Sequence, residues 1–355
     1  MPETTTDQGL AEAWTAAKAK NSAARARDIA DRLGVSEGAL VEARASRGNG
    51  DVRRLAPWGN DGRRLIDALP PLGPVMTLTR NAAAVHETTG PVTEVGGEGA
   101  MGQTTGPIDL RLFYRHWHAA YAVEEETRSG LRQSLQVFDP VGTAVLKVYA
   151  VGETDADAWN RTIAALAEPA RGPVAFEAPA VPAADPPDAA VDRDTLRKQW
   201  ENLEHSHDFH RMLRDVGAAR EQALRLAGDD LATPVDCDSV RRVLDGAVAD
   251  GVPIMCFVGN RGCLQIFTGA IGHVEPVGPW LNIMDPGFNL HLHTDRVASV
   301  WRVVKPTRLR GRITSLECFD DAGTLVCQFF GERPPGEGER EAWRALVERA
   351  VGASG

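Results

Sequence analysis

The chain has 355 residues, which is long enough for two domains of ordinary size that each bury their own core. Its 39 basic and 49 acidic residues give a formal net charge of −10, which argues against a general binder of nucleic acid or of anionic membranes. The first nine residues do not resemble a signal peptide, no window is apolar enough to span a membrane, and the five cysteines include no CxxC pair, so we expect a soluble cytoplasmic protein without membrane insertion.

The first half begins with predicted helices and continues with predicted strands. Residues 10–46 carry helical periodicity, interrupted at Gly34, and Ser36 is placed to cap the helix that follows. From residue 75 onward, short β-rich runs alternate with glycines. The predicted strands are 75–79, 131–138 and 144–149. The Asp-Pro-Val-Gly sequence at 139–142 predicts a turn, and hence a hairpin.

The second half repeats this order of elements after a segment rich in proline and alanine. That segment, 167–192, has almost no periodicity and is the best candidate for a linker. The elements predicted after it are helices in 193–250, strands in 254–267 and 297–304, a hairpin in 313–331 and a closing helix in 338–350. Helices followed by strands in each half predict an α+β fold with mainly antiparallel sheets.

Sequence similarity between the halves indicates a duplication. Segment 134–143 (SLQVFDPVGT) returns as 315–324 (SLECFDDAGT), and 109–112 (DLRL) returns as 289–292 (NLHL). The spacing is far longer than the roughly 20 to 50 residues of a solenoid repeat. We therefore predict a tandem repeat of two similar domains. The first occupies 10–166, the linker 167–192 and the second 193–355.

Residues 28–40 have the helix, glycine turn and second helix of a DNA-reading helix-turn-helix. The second helix, however, would present Glu37 and Glu42 to the phosphates, which is unfavourable. A pair of helices packed on the sheet explains the pattern better. We expect no nucleic-acid partner, and a DNA-binding regulator is the third of our functional hypotheses.

Three histidines, His205, His207 and His210, crowd one predicted helix, whereas the equivalent stretch around 14–24 has none. They lack the i, i+4 pairing and the nearby cysteine of common zinc sites, which disfavours a shared metal site. One histidine projecting from a helix that packs through Trp200 suits an axial ligand of a large flat cofactor. A solvated polar helix face explains the sequence equally well.

A series of short motifs runs in one order through both halves. They are 75–81 (VMTLTRN), 85–87 (VHE), 109–113 (DLRLF), 116–117 (HW), 257–263 (FVGNRGC), 278–280 (GPW), 288–292 (FNLHL), 305–307 (KPT) and 328–333 (QFFGER). With these motifs the chain resembles, over 24–350, the HemS/ChuS-type cytoplasmic haem-utilisation proteins, also called hemin-degrading factors or hemin transport proteins.

The resemblance implies a haem cleft between the sheet and the helices of the second repeat, partly covered by the first. It implies His207 as the axial iron ligand, Arg111 as a distal residue from the first repeat, and His86 as a second haem contact. The remaining residues that it implies at the haem are Arg220, Phe257, Lys305, Gln328, Phe330 and Arg333. Three positions depart from the family pattern, since Phe330 replaces a Tyr, Phe267 a His and Pro334 a Lys.

The function implied is that of a cytoplasmic protein of haem and iron uptake, which binds b-type haem (iron protoporphyrin IX) and passes it on. The alternative is a haem-degrading enzyme, similar to a haem oxygenase, that uses an external reductant. The resemblance also implies a haem ABC transporter upstream and a haem oxygenase or other acceptor downstream. No flavin or nicotinamide motif is visible in the chain.

Overall fold

The computed structural model describes residues 7–48, 50–56, 62–127, 130–167, 172–181, 184–334 and 336–352, which divide into two compact units. The first unit contains the described residues up to Arg80 together with 87–180 and 259–265. The second contains 81–86, 181–258 and the described residues from Ile266 onward. Each unit thus takes most of its residues from one sequence repeat and a short segment from the other.

In the first unit, a five-stranded antiparallel ladder has the strand order β1-β7-β8-β9-β2, and β4, β5 and β6 form a further antiparallel ladder. The helices are α1 (Asp7–Lys20), α2 (Ala26–Leu33), α3 (Glu37–Arg47), α4 (Arg63–Asp67) and α5 (Ala156–Leu166). The strands are β1 (Val52–Leu55), β2 (Pro74–Arg80), β3 (Ala84–Pro91, with 87–91 in this unit), β4 (Glu94–Gly96), β5 (Met101–Thr105), β6 (Asp109–Phe113), β7 (Ala119–Thr127), β8 (Gly130–Phe138) and β9 (Ala144–Ala150).

The second unit repeats this plan, with the antiparallel orders β10-β16-β17-β18-β11 and β13-β14-β15. Its helices are α6 (Arg193–Glu201), α7 (Phe209–Val216), α8 (Arg220–Ala227), α9 (Ser239–Asp250) and α10 (Glu341–Gly352). Its strands are β10 (Ala232–Val235), β11 (Ile254–Gly259), β12 (Cys263–Gly269, with 266–269 in this unit), β13 (Val274–Val277), β14 (Trp280–Asp285), β15 (Phe288–His293), β16 (Ser299–Thr307), β17 (Gly311–Phe319) and β18 (Leu325–Gly331). The predicted α+β tandem repeat is confirmed.

The turn after the Phe-Asp pair explains why the repeat keeps these residues. Asp139 Oδ1 accepts hydrogen bonds from the backbone N–H of Val141 (3.1 Å) and of Thr143 (2.8 Å). Asp320 caps the β17–β18 turn in the same way, at 3.0 and 2.8 Å. Gly142 and Gly323 both take positive φ angles, of 78° and 70°, which residues with a Cβ rarely adopt. The repeated sequence therefore encodes a repeated hairpin.

Two short segments, 81–86 and 259–265, belong to the unit that is built mainly from the other repeat. An asparagine in each segment hydrogen-bonds to the backbone of that unit. In the first unit, the Asn260 side chain donates to the carbonyls of Arg80 (3.1 Å) and Val145 (2.8 Å). In the second unit, the Asn81 side chain donates to the carbonyl of Val326 at 2.7 Å. The two asparagines occupy equivalent places in 75–81 and 254–260, so both repeats use the same contact.

Helix α3, the second helix of the helix-turn-helix pattern, packs on the sheet of the first unit. Ser36 caps it by accepting from the N–H of Ala39 at 3.2 Å. Its Glu37 side chain accepts from Lys147 at 2.6 Å and also pairs with Arg80. Its Glu42 side chain pairs with Arg54 and accepts from the hydroxyl of Tyr121 at 2.8 Å. The predicted helix pair on the sheet is confirmed, and both carboxylates are buried in ion pairs instead of facing a groove.

All five thiols are free, and four of them are buried, with Cys237 exposed. Burial raises the pKa of Cys263 to about 12, so this thiol stays protonated at neutral pH. Within the described ranges, no helix is long and apolar enough to cross a membrane.

Candidate functional site

The segment with the three histidines is not one helix, as the sequence had suggested. Helix α6 ends at Glu201, His207 lies in a 3-10 turn (Ser206–Asp208), and α7 begins at Phe209. The turn is capped locally, because the Asp208 side chain accepts from the backbone N–H of His205 at 2.9 Å. His205 therefore precedes the turn and His210 lies in α7, while His207 is exposed at the turn itself. The prediction of a single histidine-bearing helix is wrong.

Long-range contacts hold this segment against strand β16. Trp200 is fully buried, and its indole N–H donates to the carbonyl of Val304 at 2.9 Å. Its ring meets Phe209 edge-on with centroids 4.5 Å apart. Leu203 forms an isolated bridge with Thr307, and its carbonyl accepts from the N–H of Arg308 at 2.9 Å. The ends of the turn are thus fixed on either side of His207.

Beside this segment lies a buried ion cluster centred on Glu317. Arg220 contacts this carboxylate with two N–H groups, at 2.8 and 2.9 Å, and Lys305 Nζ donates to Oε1 at 2.6 Å. Ser315 also donates to Oε1, at 3.1 Å. Glu317 and Ser315 are fully buried and Lys305 is 2% exposed. Arg220 and Lys305 were both expected at the haem from the sequence, whereas the carboxylate of Glu317 that joins them was not.

The cluster shifts the pKa values of its members. Burial alone would raise the pKa of Glu317, but Arg220 and Lys305 outweigh it and hold that pKa well below its usual range. Burial lowers the pKa of Lys305 to about 8, although Glu317 opposes this shift. Desolvation by neighbouring side chains and, after it, the positive charge of Arg220 lower the pKa of His210 to about 4, although part of the residue is exposed. His210 Nε2 lies 3.5 Å from Arg220 Nη1.

Aromatic side chains adjoin the cations. Lys305 Nζ lies 4.8 Å from the ring centroid of Phe209 and 5.6 Å from that of Phe330. Phe257 packs edge-on against Phe330, with centroids 5.1 Å apart. The β11-β18-β17 pairing places Gln328 beside both Phe257 and Glu317. The strand registers therefore place four of the predicted contact residues, Phe257, Lys305, Gln328 and Phe330, on the same face of the sheet.

Arg333 follows strand β18 and differs from the other two cations in having no ion pair with any described residue. Its Nε is buried without a hydrogen-bond partner, and its guanidinium lies 5.4 Å from the Phe330 ring centroid. Burial and the positive charge of Arg310 lower the pKa of Arg333. A buried guanidinium nitrogen without an acceptor suits a site that receives an anion from outside the chain.

Arg111 lies in the first unit on strand β6. It pairs with Asp109 and donates to the carbonyls of Leu110 (3.0 Å) and Thr104 (3.3 Å). Its side chain keeps 33% of its surface exposed. The distal role of Arg111 stays a prediction.

A cavity of about 410 Å³ lies in the first unit. Trp14 and the cations Lys18 and Arg44 line it together with four acidic residues, Asp51, Glu124, Glu125 and Glu126. This surplus of carboxylates makes it a poor site for an anionic ligand.

His86 belongs to the second unit and is fully buried, edge-on to Phe288 with ring centroids 5.0 Å apart. Its predicted haem contact would require the ring to become exposed, and that role stays a prediction.

The stability of the protein is expected to depend on His86 as the pH falls. Burial lowers the pKa of His86 to about 3, whereas an unfolded histidine titrates near 6.5. The unfolded state then binds a proton that the folded state does not, so stability is full above about pH 6.5 and falls by up to about 1.4 kcal/mol per pH unit below it. Urea unfolding at about pH 6 and pH 5 should give a smaller decrease for His86→Gln than for the wild type. Equal decreases would contradict this prediction.

The two units define a duplicated α+β protein. Beside the histidine turn, its second copy has a group of cationic and aromatic side chains that we call the cationic wall, formed by Arg220, Lys305, Arg333, Phe257 and Phe330. A family model described as haemin-degrading HemS.ChuX domain matches residues 34–166 and 217–350. The hemin transport protein HmuS of Yersinia pestis is 38% identical over 344 residues, covering 96% of this chain and 97% of HmuS. The chain belongs to the haemin-degrading HemS/ChuX domain family.

Solved structures agree with this assignment. The crystal structure of holo-PhuS, a heme-binding protein from Pseudomonas aeruginosa, superposes with a TM-score of 0.91 at 43% identity, covering 97% of this chain and 98% of PhuS. The heme degrading enzyme ChuS of Escherichia coli O157:H7 superposes with a TM-score of 0.88 at 36% identity, covering 97% of this chain and 99% of ChuS. Both structures match the full length of the duplication.

Proposed function

We propose that this protein is a cytoplasmic haem carrier that binds iron protoporphyrin IX in its second repeat, with His207 as the axial ligand. The observation that carries the proposal is the cluster around Glu317 and Arg333. Its cations Arg220, Lys305 and Arg333 outnumber the carboxylate of Glu317, and this excess of positive charge suits the two anionic propionates of a haem. The match of this chain to HmuS and PhuS supports the same ligand.

The residues fit haem chemically. Phe257 and Phe330 offer apolar surface to a macrocycle, and the unpartnered Nε of Arg333 offers a donor to a carboxylate. Gln328 adds an uncharged donor, while Phe330 supplies no hydroxyl. When bound, haem would supply an iron centre to which a histidine can coordinate. Arg111, from the first repeat, is the proposed distal residue.

As a carrier, the chain's own residues hold, orient and release the ligand. Charge-assisted contacts from Arg333, Arg220 and Lys305 orient the propionates. The exposed position of His207 makes the turn accessible for exchange with a second protein. We propose a haem ABC transporter as the donor and a haem oxygenase or another haem-binding protein as the acceptor.

Titration of the full chain with hemin tests the proposal. The Soret band should shift and sharpen until about one equivalent has been added. An absorption spectrum equal to the sum of the spectra of free hemin and of the protein would contradict the haem-carrier proposal.

Haem degradation is the second candidate, because the similar ChuS structures are described as a heme degrading enzyme and as a heme oxygenase. The haem-loaded chain, given ascorbate and O₂, should then lose its Soret band even when catalase is present. Loss that catalase prevents would reflect attack by free peroxide and would contradict the enzymatic hypothesis.

A further inference from the structure

The two repeats differ in charge at the centre of an otherwise shared strand. Gln136 in β8 and Glu317 in β17 occupy the same place in the repeated segment, and both are buried. Gln136 donates to Ser134 at 2.9 Å, whereas Glu317 accepts from Ser315 at 3.1 Å. Each side chain thus bonds to the serine two residues before it, and the carboxylate is particular to the second repeat.

The two residues that pair with Glu317 also differ in charge from their counterparts in the first repeat, but they change from acidic to basic. Arg220 begins α8 three residues after Gly217, and its counterpart three residues after Gly34 is Glu37. Lys305 is the seventh residue of β16, and the seventh residue of β7 is Glu125. The second repeat therefore has bases where the first has acids, and an acid where the first has a neutral amide.

We propose that Glu317 is a positioning residue for haem propionates, which holds Arg220 and Lys305 in one fixed arrangement before the ligand arrives. The inference rests on the proposed haem binding and adds a residue to it. The bidentate contact fixes the plane of the Arg220 guanidinium, and the 2.6 Å contact fixes Lys305 Nζ. The N–H groups that these two cations do not use on Glu317 are the ones that serve the propionates.

Glu317 also balances the charge of the wall. Without its carboxylate, two buried cations would face each other with Arg333 nearby, and Lys305, which is almost fully buried, would lose its proton more readily. The wall would then lose a cation. With Glu317 in place, Arg220 and Lys305 are held as charged groups around one carboxylate, and the excess of cations remains available to the two propionates.

The variant Glu317→Gln, compared with the wild type for hemin and for hemin dimethyl ester, tests this inference. Gln136 shows that the equivalent strand of the first repeat, β8, accommodates a glutamine at this position. We expect the Kd for hemin to rise between about tenfold and a hundredfold, the range for a charged hydrogen-bond network. The Kd for the ester, which lacks the propionate charges, should change by less than about twofold. The Soret maximum should stay in place, because the axial ligand is unchanged.

Glu37→Gln is the matched control, since it removes a buried carboxylate that bridges Lys147 and Arg80 in the other unit. It should lower thermal stability without changing either Kd. Equal losses of affinity for hemin and for the ester in Glu317→Gln would assign Glu317 a structural role and overturn the inference, as would an unchanged Kd for both ligands.

Two further outcomes are separable. If Glu317→Gln does not fold, Glu317→Asp keeps the charge but withdraws it by one methylene, and it should weaken hemin binding while leaving ester binding unchanged. Equal effects on the two ligands would overturn the inference. If the wild type itself does not bind hemin, the haem-carrier proposal fails first, before Glu317 is tested.

Discussion

His207→Ala is expected to weaken hemin binding at least about a hundredfold, which corresponds to about 3 kcal/mol. The substitution removes the imidazole that we propose as the iron ligand and leaves the aromatic and cationic wall intact. Because His207 is exposed in a turn that Asp208 caps, the fold should not be disturbed. The measurement is a hemin titration that records both the Kd and the position of the Soret band.

Two neighbouring histidines provide the controls for this prediction. His205 precedes the turn, and His210 lies in α7 beside Arg220. His205→Ala should keep the wild-type Soret position. If His210→Ala instead of His207→Ala loses the axial-ligand spectrum, the ligand has been assigned to the wrong residue of the segment.

Trp200→Ala is expected to lower the free energy of unfolding of the second unit by about 3–5 kcal/mol. The indole is fully buried, and its loss leaves a cavity next to Phe209 and removes the hydrogen bond to the Val304 carbonyl. The same change should weaken hemin binding in the protein that remains folded, because Trp200 fastens the segment that carries His207. Urea unfolding followed by circular dichroism measures the first effect, and hemin titration measures the second.

Trp280 gives a matched tryptophan in the same unit, since it lies on β14 and is only partly buried. Trp280→Ala should cost less than about 2 kcal/mol and leave the Kd for hemin unchanged. Similar losses of unfolding free energy in the two variants would contradict the prediction, because Trp200 would then stabilise the unit no more than a partly buried tryptophan does.

Features set by neighbouring residues were predictable from the sequence. The hairpins at Asp139 and Asp320 depend on a side chain and a glycine within a few residues, and both were predicted at their correct places. The helix cap at Ser36 is equally local. Repetition strengthened these predictions, because each pattern occurs twice.

Features set by distant contacts were not predictable in the same way. The break after Glu201 depends partly on the pairing of Leu203 with Thr307, a residue far along the chain. Glu317 was missed because its cationic partners come from other elements, α8 and β16, that the local sequence around it does not reveal. A signal was nevertheless present, since a buried position that is Gln136 in one repeat and Glu317 in the other implies a cation nearby.

The exchange of 81–86 and 259–265 between the units has a consequence for how this protein was able to evolve. Immediately after a duplication, either copy can be deleted and the other remains whole. Once each copy has come to depend on a strand end encoded in the other, and has fastened it with Asn260 or Asn81, no single cut in the gene yields a complete unit. The two halves are thereafter inherited together, and one of them is free to lose or gain a ligand-binding role without the other becoming dispensable.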